Sequence, residues 1–463
     1  MHLKKERKGL IMKIIIVGCG RVGQTLAEKL NNDGNEVTVI DLSPLRVRQV
    51  TDNVDVMGVV GNGAKHTTLR EAGIESADLF IAVTDSDELN LLCCIVAKKE
   101  GRCRTIARLK NPEYSADAPY LKEHLDLEMV INPEYAAAEE IARVLRFPSA
   151  LKVEPFAKGR VNLIKFRLPK DSKMVGMSVR QVVAKLKVEV LVCTVERGDE
   201  AFIVSGNFVF EEKDIISIIA TPKQAKEFFD KIDYKGNSIK NAMIVGGGSI
   251  THYLCEILER SPIKLKVIEK DIKVCEQLSN DWDKINVING DGLNKSLLLE
   301  EGLEYTDAFV SLLKHDEDNI LLSMFSSDLS NCKLVTRINR TDYDQILSKL
   351  NLDAVICPKN ITSDMILRYV RSTSSRSSNM ERLYNIIQGK VEASEFIIKA
   401  NSPVSGIALK DLPLKSNVLV ASITRGEKVI IPRGWDVIEE GDAVVIITSN
   451  LGLHDIAEVL EEE

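Results

Sequence analysis

The chain has no long apolar run. No stretch approaches the ~18 consecutive apolar residues that a membrane-spanning helix needs. Its nine cysteines, Cys19, Cys93, Cys94, Cys103, Cys193, Cys255, Cys275, Cys332 and Cys357, contain no Cys-x-x-Cys pair, and no histidine completes a metal-ligand spacing with them. That argues against a zinc site or a disulfide framework and for buried, reduced thiols. No Gly-x-Ser-x-Gly, His-Glu-x-x-His or P-loop sequence occurs, so no catalytic residue is assigned and no metal is expected. The opening "MHLKKERKGLI" is basic but lacks the apolar core and cleavage site of a secretory signal, and it reads as an extension before Met12. Positive charge is also in deficit. With 61 Lys and Arg against 68 Asp and Glu, the net charge of −7 argues against nucleic acid as the main partner.

What is present is a soluble globular composition, 44% hydrophobic and 28% charged, in a chain of 463 residues long enough for three or four domains. The chain repeats itself. Gly18 and Gly246, Asp41 and Glu269, Gly198 and Gly426, and Asp214 and Asp442 are each 228 residues apart. Gly61 and Gly290, Asn90 and Asn319, and Arg108 and Arg337 are each 229 apart. A near-constant offset over most of the chain implies a tandem duplication and an order of large, small, large and small domains. The expected bounds are 12–147, 148–232, 240–371 and 379–463.

Each large domain alternates short apolar runs with helical patterns. In the first, the runs are Lys13–Val17, Val37–Ile40, Val56–Val60, Leu79–Val83 and Thr105–Ala107. The helical segments are Arg21–Asn32, Pro44–Thr51, Lys65–Ala72 and Asp87–Glu100. That pattern predicts α/β architecture, with two Rossmann-like, doubly wound parallel-sheet domains. Each is followed by a small α+β module. In the first module Val190–Glu196, Ala201–Val204 and Ile215–Ala220 are β-rich, and a lone helix, Ser178–Leu186, starts at Ser178. The Ser- and Arg-rich stretch Arg368–Arg382 reads as a linker before the last module, with an anion-binding strip as the lesser alternative.

Gly18-Cys19-Gly20-Arg21-Val22-Gly23 is a Gly-x-Gly-x-x-Gly sequence between a strand and a helix, with Asp41 at the end of the next strand. In that context it is a dinucleotide fingerprint. Gly18 permits the turn, Gly20 lets backbone N–H groups approach a pyrophosphate, and Gly23 lets the helix pack on the sheet. Asp41 would accept from a ribose 2′-hydroxyl, which favours NAD(H) over NADP(H). A Rossmann-like domain without ligand is the plain alternative. Gly61-Asn62-Gly63, Thr84 and Arg108 end the later strands, where ligands of open α/β sheets lie. Arg108 reads either as a phosphate or ribose contact or as a surface ion pair. Arg21 sits in the first helical turn, where the dipole disfavours a cation, and it reads either as a contact to a bound anion or as an ordinary solvated arginine. Asp87, Glu88 and Asn90 read as a helix-start cluster.

In the second copy Gly246 and Gly248 keep the turn and Glu269 keeps the acid, while Gly290 and Asp291 stand where Gly61 and Asn62 stand. Thr251 replaces Gly23, Ser249 replaces Arg21, and Leu313-Lys314-His315 replaces Thr84-Asp85-Ser86. Either a nucleotide still binds there or the site is altered or vestigial, and His315 reads as a surface residue.

The set GCGRVG, Asp41, "GNGAKHTTLREAGIESADLFIAVTDSDELNLL" and "IARLKNPEY", followed by the small module, resembles the RCK (KTN) family. The resemblance covers nearly everything from Met12 onward, and the tandem arrangement is similar to members that serve Trk-type potassium uptake. It implies a cytosolic, non-enzymatic regulator that binds NAD(H), with ATP or ADP as the alternative. It also implies self-association into a ring, a tetramer being favoured, and docking on a membrane-embedded Trk-type potassium-translocating subunit at the inner face of the cell membrane. By residue match Gly18, Gly20, Gly23, Asp41, Asn62, Thr84 and Arg108 would contact the nucleotide, and Gly246, Gly248 and Glu269 would do so in the second copy. The duplication implies that the two large domains pair within one chain. The competing readings are an NAD-dependent oxidoreductase and a free-standing nucleotide sensor.

Overall fold

The computed structural model describes residues 11–198, 200–232, 239–339, 350, 352–374, 380–387 and 390–461. The described residues form two compact units. One contains the residues up to Leu145 together with Ile239–Leu367, and the other contains the rest.

The first half of the first unit runs β1 (Lys13–Val17), α1 (Arg21–Asn32), β2 (Glu36–Asp41), α2 (Pro44–Thr51), β3 (Met57–Val60), α3 (His66–Glu71), β4 (Leu79–Ala82), α4 (Asp87–Glu100), β5 (Arg104–Arg108), α5 (Pro112–Ala116), α6 (Ala118–His124), β6 (Met129–Ile131) and α7 (Pro133–Arg146). The strands are parallel in the order β3-β2-β1-β4-β5-β6. Ile14, Ile15, Ile16 and Val17 are all buried, as expected of a central strand covered on both faces. The order reverses between β1 and β4, and a crevice opens there at the carboxyl ends of the strands. Local chemistry sets the helix starts. Ser43 accepts from the Arg46 N–H with Pro44 in the first turn, and Ser86 accepts from Leu89. Five strands are predicted for this domain, and the structure adds β6.

The second half repeats the sheet. Its parallel strands lie in the order Asn286–Asn289, Lys264–Glu269, Asn241–Val245, Ala308–Ser311, Lys333–Arg337 and Ala354–Ile356. The halves are joined by exchanged helices. Ala137, Ala138, Ile141, Ala142, Val144 and Leu145 of α7 belong to one buried cluster with Ala242, Ile244, Leu254 and Val267 of the second half. Burying Ile141, Val144 and Leu145 alone is worth roughly 5–9 kcal/mol relative to exposure. In the other direction, Asp364 on the helix Pro358–Ser374 meets Lys29 of α1 at 2.7 Å. The two large domains therefore pair within the chain.

The second unit contains two five-stranded antiparallel sheets. The first has the order Glu200–Ile203, Leu191–Arg197, Ile215–Ala220, Val161–Arg167 and Lys152–Phe156. The second has Met380–Ile387, Val391–Ile397, Ala443–Thr448, Val418–Arg425 and Lys428–Ile430. Phe156, Leu163, Cys193 and Ile219 of one share a core with Ala393, Ala421, Val445 and Ile447 of the other.

Two readings of the sequence are corrected here. The helix Val179–Leu186, which Ser178 caps, is not alone. Pro222–Lys231 is a second helix, started by a reciprocal capping box between Thr221 and Gln224. The stretch Arg368–Arg382 is not a plain linker, because helix continues to Ser374 and strand begins at Met380. Residues 375–379 of that stretch lie outside the described residues, as do residues 1–10 of the basic extension and Asp199 of the first small module's hairpin turn. Among the described residues, no helix is long and apolar enough to cross a membrane.

Candidate functional site

The first glycine loop is shaped by close contacts. Gly18 has a φ of +104°, which favours glycine, and its N–H donates to Ile40 O at 2.8 Å. A Cβ on Gly23 would lie 1.8 Å from the Gly18 carbonyl oxygen, so α1 packs on β1 here with the clearance of a glycine. A Cβ on Gly20 would meet nothing within 4 Å. Gly20 is the N-cap of α1, with no side-chain cap and no acid in the first turn. The helix thus presents uncapped N–H groups and partial positive charge to open space, which suits an anion.

Asp41 lies beside this loop. Its Oδ2 accepts from the Cys19 N–H and its Oδ1 from the Ser43 N–H, both at 2.8 Å. The carboxylate fastens the loop to the end of β2 and keeps lone pairs free for a hydroxyl. Burial, reinforced by the charge of Asp41, pushes the Cys19 thiol up to about 12, so this cysteine is a backbone contact and not a nucleophile.

The other predicted residues divide. Gly61 and Gly63 are packing glycines. A Cβ would lie 2.7 Å from Thr68 Cγ2 at the first and 2.4 Å from Val17 Cγ1 at the second. The Asn62 Oδ1 accepts from the Ala64 N–H at 2.9 Å and shapes the turn. The Thr84 hydroxyl donates to Asn90 Oδ1 at 2.7 Å. Asn90 is fully buried, and its amide also donates to Arg108 O at 2.9 Å, stapling the end of β4 to the end of β5. Asp87, Glu88 and Asn90 are therefore not one capping cluster. Ser86 caps α4, Asp87 accepts from the N–H groups of Lys110 and Asn111, and Glu88 takes the Tyr114 hydroxyl.

A cleft of about 450 Å³ opens over the glycine loop, between the halves. Cys19, Gly20, Arg21, Val22 and Arg108 line it, as do Arg46, Asp85 and Glu134 of the first half and Lys314, Arg337, Asn339 and Lys359 of the second. Six cations thus face two acids. Arg108 pairs with Glu134 at 3.1 Å, both side chains being largely buried. Arg108 Nε, Glu134 Oε2 and Arg337 Nε are buried with no hydrogen-bond partner. Burial holds Arg337 below the usual arginine range, and the nearby charge of Arg21 pushes in the same direction. Crowded cations, orphaned guanidinium nitrogens and an uncapped helix start fit the phosphates of a nucleotide.

The 229-residue register pairs Arg108 with Arg337. It gives no sign that Arg337, Lys314 and Lys359 reach the first glycine loop, because that depends on how the exchanged helices dock the halves.

The second glycine loop has the same backbone. Gly246 has φ +106°, and Gly248 caps its helix with φ −71° and ψ −173°, against −72° and −173° at Gly20. Glu269 accepts from the N–H groups of Gly247 at 2.6 Å and Asp271 at 2.8 Å, as Asp41 does in the first half. Gly290 leaves room for Leu297, whose Cδ2 would lie 2.4 Å from a Cβ. Asp291 accepts from the Leu293 N–H and meets Lys270. His315 is exposed.

The TrkA-N domain family model matches residues 14–133 and 242–358, and the TrkA-C domain model matches 163–233 and 393–461. The "Trk system potassium uptake protein TrkA" of Halomonas elongata is 32% identical over 441 residues, 94% of this chain and 95% of that protein. The homolog from Archaeoglobus fulgidus is 29% identical, over 97% of this chain and all of that protein. Among solved structures, the GsuK RCK domain shares the fold with a TM-score of 0.63 at 16% identity, covering 97% of this chain and 94% of that one. The GsuK channel bound to NAD gives 0.62 at 15%, covering 97% of this chain and 78% of that one. With both halves matched by the TrkA-N model, and relatives aligned over almost their whole length, the chain belongs to the TrkA family of Trk system potassium uptake proteins.

Proposed function

We propose that the chain is a nucleotide-binding regulatory subunit of a potassium uptake system. NAD(H) is the expected ligand, with ATP or ADP as the alternative, held over the first glycine loop. The supporting observation is the cleft itself, an uncapped helix start facing cations from both halves.

The geometry suggests how binding does work. Arg21 and Arg337 come from opposite halves and repel each other. A phosphate between them relieves that repulsion, so the ligand favours the arrangement in which the halves are close. A preference of about 1.4 kcal/mol for one arrangement changes the population ratio tenfold. Asp41 is placed for the ribose and Arg108 for phosphate, with Glu134 exchanged for the ligand or kept as its neighbour.

Relatives named as Trk system potassium uptake proteins support reading this output as an effect on potassium uptake. The reading includes a ring of such chains, a tetramer being favoured, on the cytoplasmic face of a membrane-embedded Trk-type potassium-translocating subunit. The domain bounds are 12–147, 148–232, 240–371 and 379–463. A cation-lined cleft favours holding phosphate over moving a hydride, so we read the protein as a regulator and not an oxidoreductase.

The test is calorimetry of the full chain against NADH, NAD, ATP and ADP, followed by potassium flux in liposomes carrying the translocating subunit. Arg21→Gln and Arg337→Gln should each weaken binding and reduce the nucleotide effect on flux. Nucleotide-independent flux from an intact complex overturns the regulatory reading, and steady NADH turnover restores the enzyme.

A further inference from the structure

The loops next to Arg108, at the end of β5, and Glu134, at the start of α7, are held from outside their own domain. Tyr253 lies on the helix Ser249–Leu258, which the second glycine loop opens, and it is buried. Its hydroxyl donates to Lys110 O at 3.2 Å and accepts from the Asn132 amide at 2.8 Å. Lys110 follows Arg108 by two residues, and Asn132 precedes Glu134 by two. The Asn132 amide also donates to Ser115 Oγ, and its Oδ1 accepts from the Tyr135 N–H. A single phenol therefore ties the loop after β5 to the loop after β6, and both to the second half.

The duplication supplies an internal control. The position matching Tyr253 in the first half is Thr25, whose hydroxyl donates to Arg21 O within α1. The matching tie in the other direction is therefore absent at this position. The pairing of the halves has other support, from the exchanged apolar helix α7 and from Lys29 with Asp364. The Tyr253 hydroxyl bonds to the loops after β5 and β6, next to the end of β5 and the start of α7 that the Arg108–Glu134 pair also bridges.

We propose that the Tyr253 hydroxyl is a positioning residue for the first-half cleft. It sets the separation of the end of β5 and the start of α7, which carry Arg108 and Glu134, so the anion affinity of the cleft depends on how the helix of the second glycine loop is seated. This rests on reading the cleft as a nucleotide site. A shift of the helix Ser249–Leu258 then moves the Lys110 carbonyl and Asn132 together, which gives the second half a physical hold on the first site.

The test is NADH calorimetry on full-length Tyr253→Phe. The variant keeps the ring and its edge contact with Tyr135, whose centroid lies 5.4 Å away. We expect affinity to fall about fivefold, the effect of losing a buried hydrogen bond that shapes a site. A Glu134→Gln cycle separates positioning from general stability. The double variant should bind no more weakly than Glu134→Gln alone, because both changes act on one separation. Tyr135→Leu, which removes the ring contact and neither hydroxyl bond, should bind within twofold of wild type. If wild type binds no nucleotide, the nucleotide reading and this proposal both fall. If wild type binds and Tyr253→Phe matches it within twofold, or the cycle is additive, this proposal falls alone.

Discussion

At the first glycine loop a Cβ on residue 23 would collide with the Gly18 carbonyl, whereas at the second loop Thr251 occupies the matching position and its hydroxyl donates to the Gly246 carbonyl. The loop backbones nevertheless agree to within a few degrees. A missing third glycine is therefore poor evidence that a fingerprint loop has been lost, because a side chain that bonds the crowded carbonyl can replace the clearance. What separates the halves is the flanking charge. Arg21 and Arg46 of the first half are matched by Ser249 and Val274 of the second. The second half instead contributes Lys314, Arg337 and Lys359 to the cleft of the first. The cores differ as well. Ala82, Cys94 and Ala107 of the first half are replaced by Ser311, Ser323 and Thr336, whose buried hydroxyls bond to one another at 3.1 and 2.7 Å.

Exchanging the third loop residue should break the comparison most sharply. Gly23→Thr in the first half, where a Cβ would lie 1.8 Å from the Gly18 carbonyl oxygen, should cost ~3 kcal/mol of stability and abolish nucleotide binding. Thr251→Gly should cost only ~1 kcal/mol, with one hydrogen bond lost and a glycine placed in the first turn. Urea unfolding with calorimetry checks both, and equal costs would show that the loops do not differ as described.

The strand-end acids come next. Asp41→Asn should weaken NADH binding by ~1.5–3 kcal/mol, the range for a charged hydrogen bond. Glu269→Gln should change the tightest binding class by less than twofold if the halves are unequal. Two equal losses would make the sites equivalent.

The hydroxyl cluster predicts a smaller effect that depends on context. Ser323→Ala alone leaves its partners short of a bond and should cost ~1–2 kcal/mol. Replacing all three residues by those of the first half, as Ser311→Ala, Ser323→Cys and Thr336→Ala, should be close to neutral in thermal midpoint. A triple variant that loses the sum of the single effects would show that the cluster stabilises the domain outright.

The smallest effect concerns acid. Asp291 is held below its ordinary value of 3.8, first by the Leu293 N–H and then by Lys270. Its contribution is fully present above that value and is lost as pH falls through the lower folded value. The first half has Asn62 there, which does not titrate. Asp291→Asn should therefore flatten the acid limb of stability slightly, whereas Asn62→Asp should steepen it. Midpoints measured between about pH 2 and 5 give the answer.

Much of this was legible in the chain. The bounds of α1 and α2 follow from Gly20 before one and Ser43-Pro44 at the other, and the repeat register follows from glycines and acids at strand ends. The sixth strand was missed because three residues, Met129–Ile131, carry no period. The helix Pro222–Lys231 was missed although Thr221 and Gln224 spell its cap, because the β-rich run before it dominates the local composition. Serine content gave Arg368–Ser374 the look of a linker, whereas the apolar spacing of Ile366, Leu367 and Val370 continues a helix. At the site, the glycine loop and Asp41 were readable as a local unit. The cations of the second half were not, since their approach depends on tertiary docking between segments about 300 residues apart.

The exchanged helix α7 also imposes a timetable on synthesis. Its apolar face, Ala137 to Leu145, emerges from the ribosome well before the second-half residues buried in the same cluster, which run from Ile239 to Ile356. At ~5–20 residues per second the wait for the last of them, ~210 residues on, lasts about 10–40 s. During that interval a helix made for a buried interface has only part of its cover, and before Ile239 it has none of its second-half partners. The nascent chain therefore carries an exposed apolar stripe until its second half arrives, and an arrest or a slow codon run between residues 146 and 356 would turn that stripe into a ligand for chaperones or for a neighbouring chain at the same stage.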